Sequence, residues 1–167
     1  MRAFLLTWLG CITLLPLHAA NLVPDPFQPT QVTSLYIEKH DGDSVVSIQL
    51  AGDALTYKMV KQGKVTEETV THPSGDDWFK FIQGLNTAKV YKWTAKYYYP
   101  GQGASWFIDL GMENRPFKSE GTNEYPKEGA EDQPQADPKA GASVPFQLFW
   151  QAALELVGKA PPPAPAK

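Results

Sequence analysis

The sequence predicts an α+β domain, an antiparallel meander sheet of six to seven strands with two helices packed on one face. Three observations support this fold class. Short segments of alternating apolar and polar residues, separated by Gly-containing turns, follow one another from Val32 to Thr71. Two later segments carry apolar residues at helical spacing, and strands rich in aromatic residues lie between them.

The first twenty residues have the composition of a secretory signal peptide (residues 1–20). Met1-Arg2 provides a positive start, a nearly continuous apolar run follows, and Ala19-Ala20 offers small residues for cleavage. This apolar run is shorter than a membrane-spanning helix, which needs about 20 apolar residues. We therefore expect a periplasmic or secreted chain without an integral membrane span. Lipoprotein anchoring through Cys11 is the alternative, since Leu9-Gly10-Cys11 resembles a lipoprotein cleavage box.

Composition excludes several classes of function. Cys11 is the only cysteine, so the mature chain is expected to be cysteine-free and to form neither disulfides nor thiolate metal sites. The formal net charge is -3 and no long segment is basic, which argues against a nucleic-acid partner. His40 and His72 are the histidines that remain after signal removal. No cofactor and no metal site is predicted.

The sequence divides into a Pro-rich leader, one domain and a tail. Residues 21–31 contain three prolines and are expected to be extended, with ordered structure starting at Val32. The domain covers residues 32–158, and its first four strands are joined by turns at Asp41-Gly42, Gly52-Asp53 and Gln62-Gly63. Residues 159–167 form a Pro/Ala-rich tail.

The first helix is predicted from its start signal and its apolar stripe. Ser74 can accept a hydrogen bond from the backbone of Asp77, which completes an N-terminal cap. One helical face then carries four apolar residues at i, i+3, i+4 and i+7, namely Trp78, Phe81, Ile82 and Leu85. Gly84 and Asn86 are expected to end this helix.

Residues 90–99 and 105–111 are predicted to be the next two strands, a hairpin of aromatic strands, followed by a short strand near Phe117. Residues 127–142 lack apolar periodicity and are rich in charged residues, Pro and Gly, so a disordered insertion is expected there. Ser143 then caps a second helix with a core-facing stripe that includes Phe146, Phe149 and Trp150.

Several features in this order resemble an uncharacterised family of bacterial proteins. They are Trp78-Phe79, Trp93, Tyr99, the segment Trp106 to Leu110, the run Gly121-x-Asn-x-Tyr-Pro126, and a final Phe-bearing helix. The turn at residues 100–105 and the long gap after Pro126 depart from the family pattern. The family has no assigned activity, so the resemblance implies no mechanism.

The aromatic residues are the candidate ligand-binding residues. Aromatic strands can form a platform for sugar rings or for an extended peptide, or they can simply fill a core beneath the helices. The candidates are Tyr97, Tyr98, Tyr99, Trp106, Asn123 and Tyr125. Asn123 and its neighbours also have an ordinary structural explanation as turn residues.

No segment matches a catalytic motif, so no catalytic residue is assigned. The preferred function is an exported, non-catalytic binding or interaction module whose partner is a protein, peptide or glycan. One alternative is a small periplasmic hydrolase that uses His40 or His72 with nearby carboxylates. The other is an inhibitor or accessory factor of an envelope protein.

Overall fold

Among the residues that it describes, a computed structural model of the chain contains one seven-stranded sheet, a two-stranded sheet and two α-helices. The structure describes residues 26–27, 32–113, 115–137 and 141–160. The predicted signal peptide with Cys11, most of the leader, and residues 161–167 of the tail lie outside these ranges. Within these ranges no helix has the length and apolarity needed to cross a bilayer. The predicted α+β class is confirmed.

The first four strands form the predicted antiparallel meander. They are β1 (Val32–Asp41), β2 (Ser44–Ala51), β3 (Ala54–Lys61) and β4 (Lys64–Thr71). The three connecting turns each contain a glycine with positive φ, a conformation that glycine adopts without steric cost. β4 is an edge of the sheet, and the Glu67-Glu68 pair together with a register shift opposite Met59 and Val60 discourages further strand pairing there.

The second half of the sheet differs from the predicted hairpin. Its strands are β5 (Lys96–Tyr98), β6 (Ser105–Met112) and β7 (Phe117–Thr122), in the sheet order β4-β3-β2-β1-β6-β7-β5. β7 lies between β5 and β6, and β5 pairs with β7 in parallel. The prediction that residues 90–99 form one strand is wrong, because Val90–Lys92 is a 3-10 turn. The indole N–H of Trp93 donates to the Ala88 carbonyl at 3.2 Å and holds this turn against the preceding helix.

The predicted disordered insertion is wrong over residues 127–134. Two short strands, β8 (Pro126–Lys127) and β9 (Ala130–Pro134), pair antiparallel as a hairpin. Buried Glu131 anchors it, since its carboxylate lies 3.0 Å from the ammonium of Lys89 and its carbonyl accepts from the Tyr97 hydroxyl. Long-range polar contacts therefore order a segment that has no apolar pattern. Residues 138–140 lie outside the described ranges.

Helix α1 (Gly75–Thr87) begins at the predicted cap. The Ser74 hydroxyl accepts from the Asp77 backbone at 3.3 Å, and the Asp77 carboxylate accepts from the Ser74 backbone at 2.9 Å. The helix does not end at Gly84, as predicted, but at Thr87, one residue after Asn86. Gly84 instead marks the contact with helix α2 (Val144–Leu156), since a Cβ at Gly84 would collide with the Cβ of Ala152.

Both helices lie on the same face of the sheet, which we call the inner face. The core residues of the strands include Ile37, Ile48 and Ile108, which are cross-strand neighbours on that face. Buried residues of α1 and α2 belong to the same cluster. Phe27 of the leader also joins the core at 3 % exposure, so ordered structure begins before Val32.

Candidate functional site

Three of the six predicted ligand-binding residues are core residues. Tyr97, Trp106 and Tyr125 are each at most 6 % exposed. The Trp106 ring stacks on Tyr125 with centroids 6.5 Å apart, and Phe146 of α2 packs 5.1 Å from Trp106. Gly121 makes this packing possible, because a Cβ there would collide with the Trp106 indole. In this arrangement the three rings fill the core between the sheet and the helices, and they do not form an exposed platform.

The buried hydroxyl of Tyr97 serves the hairpin. It donates to the Glu131 carbonyl and accepts from the Thr94 backbone N–H at 3.0 Å. Burial raises the pKa of Tyr97 above its usual value. Burial also opposes ionisation of Glu131, but hydrogen bonds from Lys89 and from backbone N–H groups outweigh it, so the pKa of Glu131 is lowered. Glu131 is thus a buried, paired carboxylate that joins three segments.

Tyr98 and Tyr99 are the exposed members of the tyrosine triplet, at 61 % and 45 % exposure. Tyr98 is the last residue of β5 at the edge of the sheet, and Tyr99 follows it into the loop that leads to β6. The strand alternation therefore separates Tyr97, which enters the core, from Tyr98, which faces solvent.

Asn123 organises the loop between β5 and β6. Its side-chain amide donates to the carbonyl oxygens of Tyr99 at 3.3 Å and Gly101 at 2.9 Å, and its backbone N–H donates to Ala104 at 2.8 Å. Its φ is +53°, in the left-handed region that asparagine tolerates better than most residues. A Cβ at Gly103 would collide with the Asn123 side chain. Asn123 thus has a structural role in this loop.

The outer face of the sheet carries a hydrogen-bonded row along β1. The hydroxyl of Tyr36 donates to Glu38, and the other carboxylate oxygen of Glu38 lies 2.6 Å from Nε2 of His40. The hydrogen bond to Glu38 raises the pKa of Tyr36 to about 12, and the bonds from Tyr36 and His40 lower the pKa of Glu38. His40 faces Ser105 of β6 in the cross-strand register.

Other charges of the outer face are paired across neighbouring strands. Lys118 lies 2.7 Å from Asp109, and Lys96 lies 3.3 Å from Glu120. Lys58 and Glu68 lie 3.8 Å apart. Exposed pairs of this kind contribute little to stability and keep the face hydrated.

His72, the second histidine weighed for catalysis, lies at the end of the meander. Its Nδ1 is 3.5 Å from the carboxylate of Asp53, and both side chains are largely exposed. Within the part of the chain that the structure describes, no three His, Cys, Asp or Glu side chains converge as a metal site would require.

A groove on the inner face is a site that the sequence did not predict. It lies where the strands approach the turns of β1–β2 and β3–β4, beyond the area that the helices cover. Its volume is about 490 Å³. The floor includes the cross-strand row Lys39, Val46, Met59 and Glu67, and Trp150 and Leu154 of α2 form a wall.

The groove combines apolar and charged groups. Val46, Met59 and Trp150 are only partly buried, so apolar surface remains accessible between the strands and α2. At one end the ammonium of Lys39 lies 3.3 Å from Asp41 and 5.8 Å from the centroid of the Trp150 ring. At the other end the ammonium of Lys159 lies 2.6 Å from Glu67 and 5.2 Å from the centroid of the Tyr57 ring. The charged ends therefore enclose an apolar middle.

Two comparisons with known proteins gave no match: no family model and no curated protein sequence is similar to this chain.

The sequence contains part of the signal for the groove. Val46, Met59 and Trp150 stand at positions that alternation and helical periodicity assign to the inner side. The same pattern describes Ile48 and Tyr57, which are buried. Periodicity gives the face of a residue but not the place where the helix cover ends, so sequence reasoning missed the groove.

Proposed function

We propose that this protein is an exported, non-catalytic binding module and that the groove binds an extended peptide segment of a partner protein. The observation that carries the proposal is the partly uncovered apolar middle of the groove, formed by Val46, Met59 and Trp150. Concave sites with an apolar lining and a few polar groups are the usual form of ligand sites.

The chemistry of the groove favours a peptide. A Trp ring and a Met side chain offer adaptable contact area to varied side chains. Lys39, Asp41 and Ser44 at one end provide donors and acceptors for backbone amide and carbonyl groups. Across the sheet, β4 to β1 spans about 14 Å, given strand spacings of about 4.8 Å. An extended peptide of four or five residues covers roughly that distance.

The groove is preferred over the surface of Tyr98 and Tyr99. Those two rings stand at the edge of the sheet beside a loop that Asn123 holds, whereas the groove offers a concave floor and a wall. An inhibitor or accessory factor of an envelope protein would use the same groove, because such a factor also acts by binding a partner.

Selection from a random peptide library tests the proposal. The chain from residue 21 onward is immobilised, peptides are selected, and their dissociation constants are measured by titration. We expect selected peptides to bind at least ten-fold more weakly to Trp150→Ala and to Met59→Thr, of which the second keeps a residue suited to a strand. Tyr98→Ala on the opposite face should bind them unchanged. Failure to select peptides, or equal affinity for all variants, would overturn the proposal.

A hydrolase is the second candidate, and the outer-face row supports it. Glu38 lies 2.6 Å from His40, and Ser105 is the cross-strand neighbour of His40. Side chains opposite each other in antiparallel strands have Cβ atoms about 5 Å apart, so Ser105 of β6 as a nucleophile lies next to His40 as a base, which in turn contacts Glu38 as an orienting carboxylate. The support is weaker because water reaches this open face, and general bases work best where water is excluded.

A fluorophosphonate probe separates the two candidates. A hydrolase of this design would be labelled at Ser105, and labelling would disappear in Ser105→Ala and in His40→Phe. Absence of labelling in the parent chain would remove this candidate and leave the binding proposal unaffected.

A further inference from the structure

We infer that the peptide bound in the groove carries an Asp or Glu side chain next to an apolar one, and that Lys61 and Lys64 bind this carboxylate. The inference rests on the proposed function and deepens it, because it names the chemical class of the peptide. Its test separates a wrong class of peptide from the absence of a peptide site.

Lys61 and Lys64 stand opposite each other on the side of the groove nearest the turns. They flank the turn at Gln62-Gly63 and are cross-strand partners in the pairing of β3 with β4. Lys61 lines the groove, and Lys64 shares its side of the sheet because directly opposed residues point to the same face. The Gln62 N–H donates to the Asp43 carbonyl at 3.0 Å, which ties this turn to the turn between β1 and β2. The backbone that presents the two lysines is therefore held in place.

These two lysines differ from the other lysines of the groove in their lack of a carboxylate partner. Lys39 and Lys159 each pair with a carboxylate, at 3.3 Å and 2.6 Å. Within the described ranges, neither Lys61 nor Lys64 forms an ion pair. Like charges directly opposite each other in a strand pair repel, so an anion bound between them would offset a repulsion that the protein leaves in place. The side of the groove nearest the turns is therefore positively charged.

The geometry of the floor places apolar and acidic side chains of the peptide on opposite sides. Along β3 the inward positions change from buried Tyr57 to partly buried Met59 and then to exposed Lys61. The wall of α2 with Trp150 thus lies on one side of Met59, and Lys61 lies on the other, about 7 Å along the strand. Successive side chains of an extended peptide point to opposite sides. A peptide that crosses the strands at Met59 therefore points one side chain at Trp150 and the next toward Lys61.

The exposure of the lysines sets the size of the effect. Lys61 and Lys64 are exposed, and ion pairs at exposed sites contribute modestly. The peptide carboxylate should therefore improve affinity by about two- to five-fold. Salt should reduce this gain by screening, whereas the contact with the Trp150 ring should persist.

Peptide selection combined with two matched lysine variants tests the inference. Selected peptides are synthesised with amidated C-termini, so that side chains are their only carboxylates. We expect an Asp or Glu directly before or after an apolar residue, and its replacement by Asn or Gln should weaken binding to the chain from residue 21 by about two- to five-fold. The same replacement should leave binding to the double variant Lys61→Gln/Lys64→Gln unchanged. The control Lys58→Gln/Lys96→Gln has the same net charge, with both changes on the outer face, and should respond like the parent chain.

Three results would overturn the inference. The first is that selected peptides contain no acidic residue, and the second is that replacing the acid has the same effect in both lysine variants. The third is that binding requires a free C-terminal carboxylate. In each case a ten-fold loss of affinity in Trp150→Ala would leave the peptide site itself intact. A library that yields no binder would instead overturn the proposed function, and this inference with it.

Discussion

The Phe27 ring is buried in the core, and Asn86 holds the Phe27 backbone in place. Variants of these two residues give a quantitative prediction for the free energy of unfolding. The Phe27 ring is 3 % exposed and packs edge-on against Tyr91 at 6.3 Å and Phe117 at 6.0 Å. The Asn86 amide closes this contact from α1, since its oxygen accepts from the Phe27 N–H at 2.7 Å and its nitrogen donates to the Phe27 carbonyl at 2.8 Å. A segment that the sequence assigns to the leader is thus joined to the core.

The size of each effect follows from these contacts. Phe27→Ala removes a buried ring and should lower the free energy of unfolding by about 3–5 kcal/mol. Asn86→Ala removes two hydrogen bonds to the backbone and should cost about 2 kcal/mol. Because Asn86 holds the backbone that positions the ring, the double variant should cost about 1–2 kcal/mol less than the sum of the single variants.

Urea denaturation of the chain from residue 21 measures all three variants, provided that the slope of unfolding free energy against urea stays constant. Tyr98→Ala is the matched control, since this ring is exposed and its removal should change stability by less than about 0.5 kcal/mol. Two results would refute the reasoning: a cost below about 1 kcal/mol for Phe27→Ala, or additive effects of Phe27→Ala and Asn86→Ala.

Three further predictions concern positions where the structure departs from simple sequence rules. Gly84→Ala should cost about 1–3 kcal/mol because its Cβ collides with Ala152, and Ala152→Gly should recover part of that cost in urea denaturation; no recovery would refute the contact. Asn123→Ala should cost about 2 kcal/mol by loss of two hydrogen bonds, and Asn123→Gly should cost about 1 kcal/mol less because glycine tolerates the φ of +53°. Equal costs would show that backbone strain is unimportant there. Glu131→Gln should remove the contribution of Glu131 to the pH dependence of stability. The lowered pKa of Glu131 in the folded state stabilises the protein above the unfolded pKa of about 4.3, and this contribution is lost as pH falls through the folded pKa. The stability difference between parent and variant should therefore shrink from pH 6 to pH 3, and a constant difference would contradict the pairing of Glu131 with Lys89.

The features that the sequence predicted correctly depend on local interactions. Helix α1 starts where Ser74 and Asp77, three positions apart, form hydrogen bonds with each other. The meander depends on short turns that connect consecutive strands. Local rules describe such elements well, because the residues that stabilise them are close in the sequence.

The features that the sequence missed depend on distant residues. The β8–β9 hairpin is held by contacts of Glu131 with Tyr97 and Lys89, which are 34 and 42 positions away. The insertion of β7 between β5 and β6 requires Gly121 beneath the Trp106 ring, a contact that no periodicity reveals. Of the candidate site residues, alternation correctly places Tyr97 and Tyr98 on opposite faces, but it leaves open which face is covered.

The groove follows from a mismatch between strand length and helix width. α2 crosses the sheet, because Phe146 packs on Trp106 of β6 while Lys159 at its other end reaches Glu67 of β4. Two helices packed side by side, with their axes about 10 Å apart, cover roughly 20 Å along the length of the strands. Eight-residue strands such as β2 and β3 extend about 27 Å, so the inward positions nearest the turns are incompletely covered, as the burial of Val46 and Met59 shows.

Val46 and Met59 are cross-strand partners at this boundary, and the next inward pair toward the turns is Ser44 and Lys61, which are polar. Thr would be compatible with the strand at either boundary position and would leave less accessible apolar surface. Apolar residues at this place are therefore not required by the sheet itself, whereas a site that binds a peptide through the Trp150 ring needs an apolar floor beside it. Met59→Thr should therefore weaken peptide binding by about ten-fold or more, which corresponds to at least about 1.4 kcal/mol, while lowering the free energy of unfolding by only about 1 kcal/mol at this partly buried position.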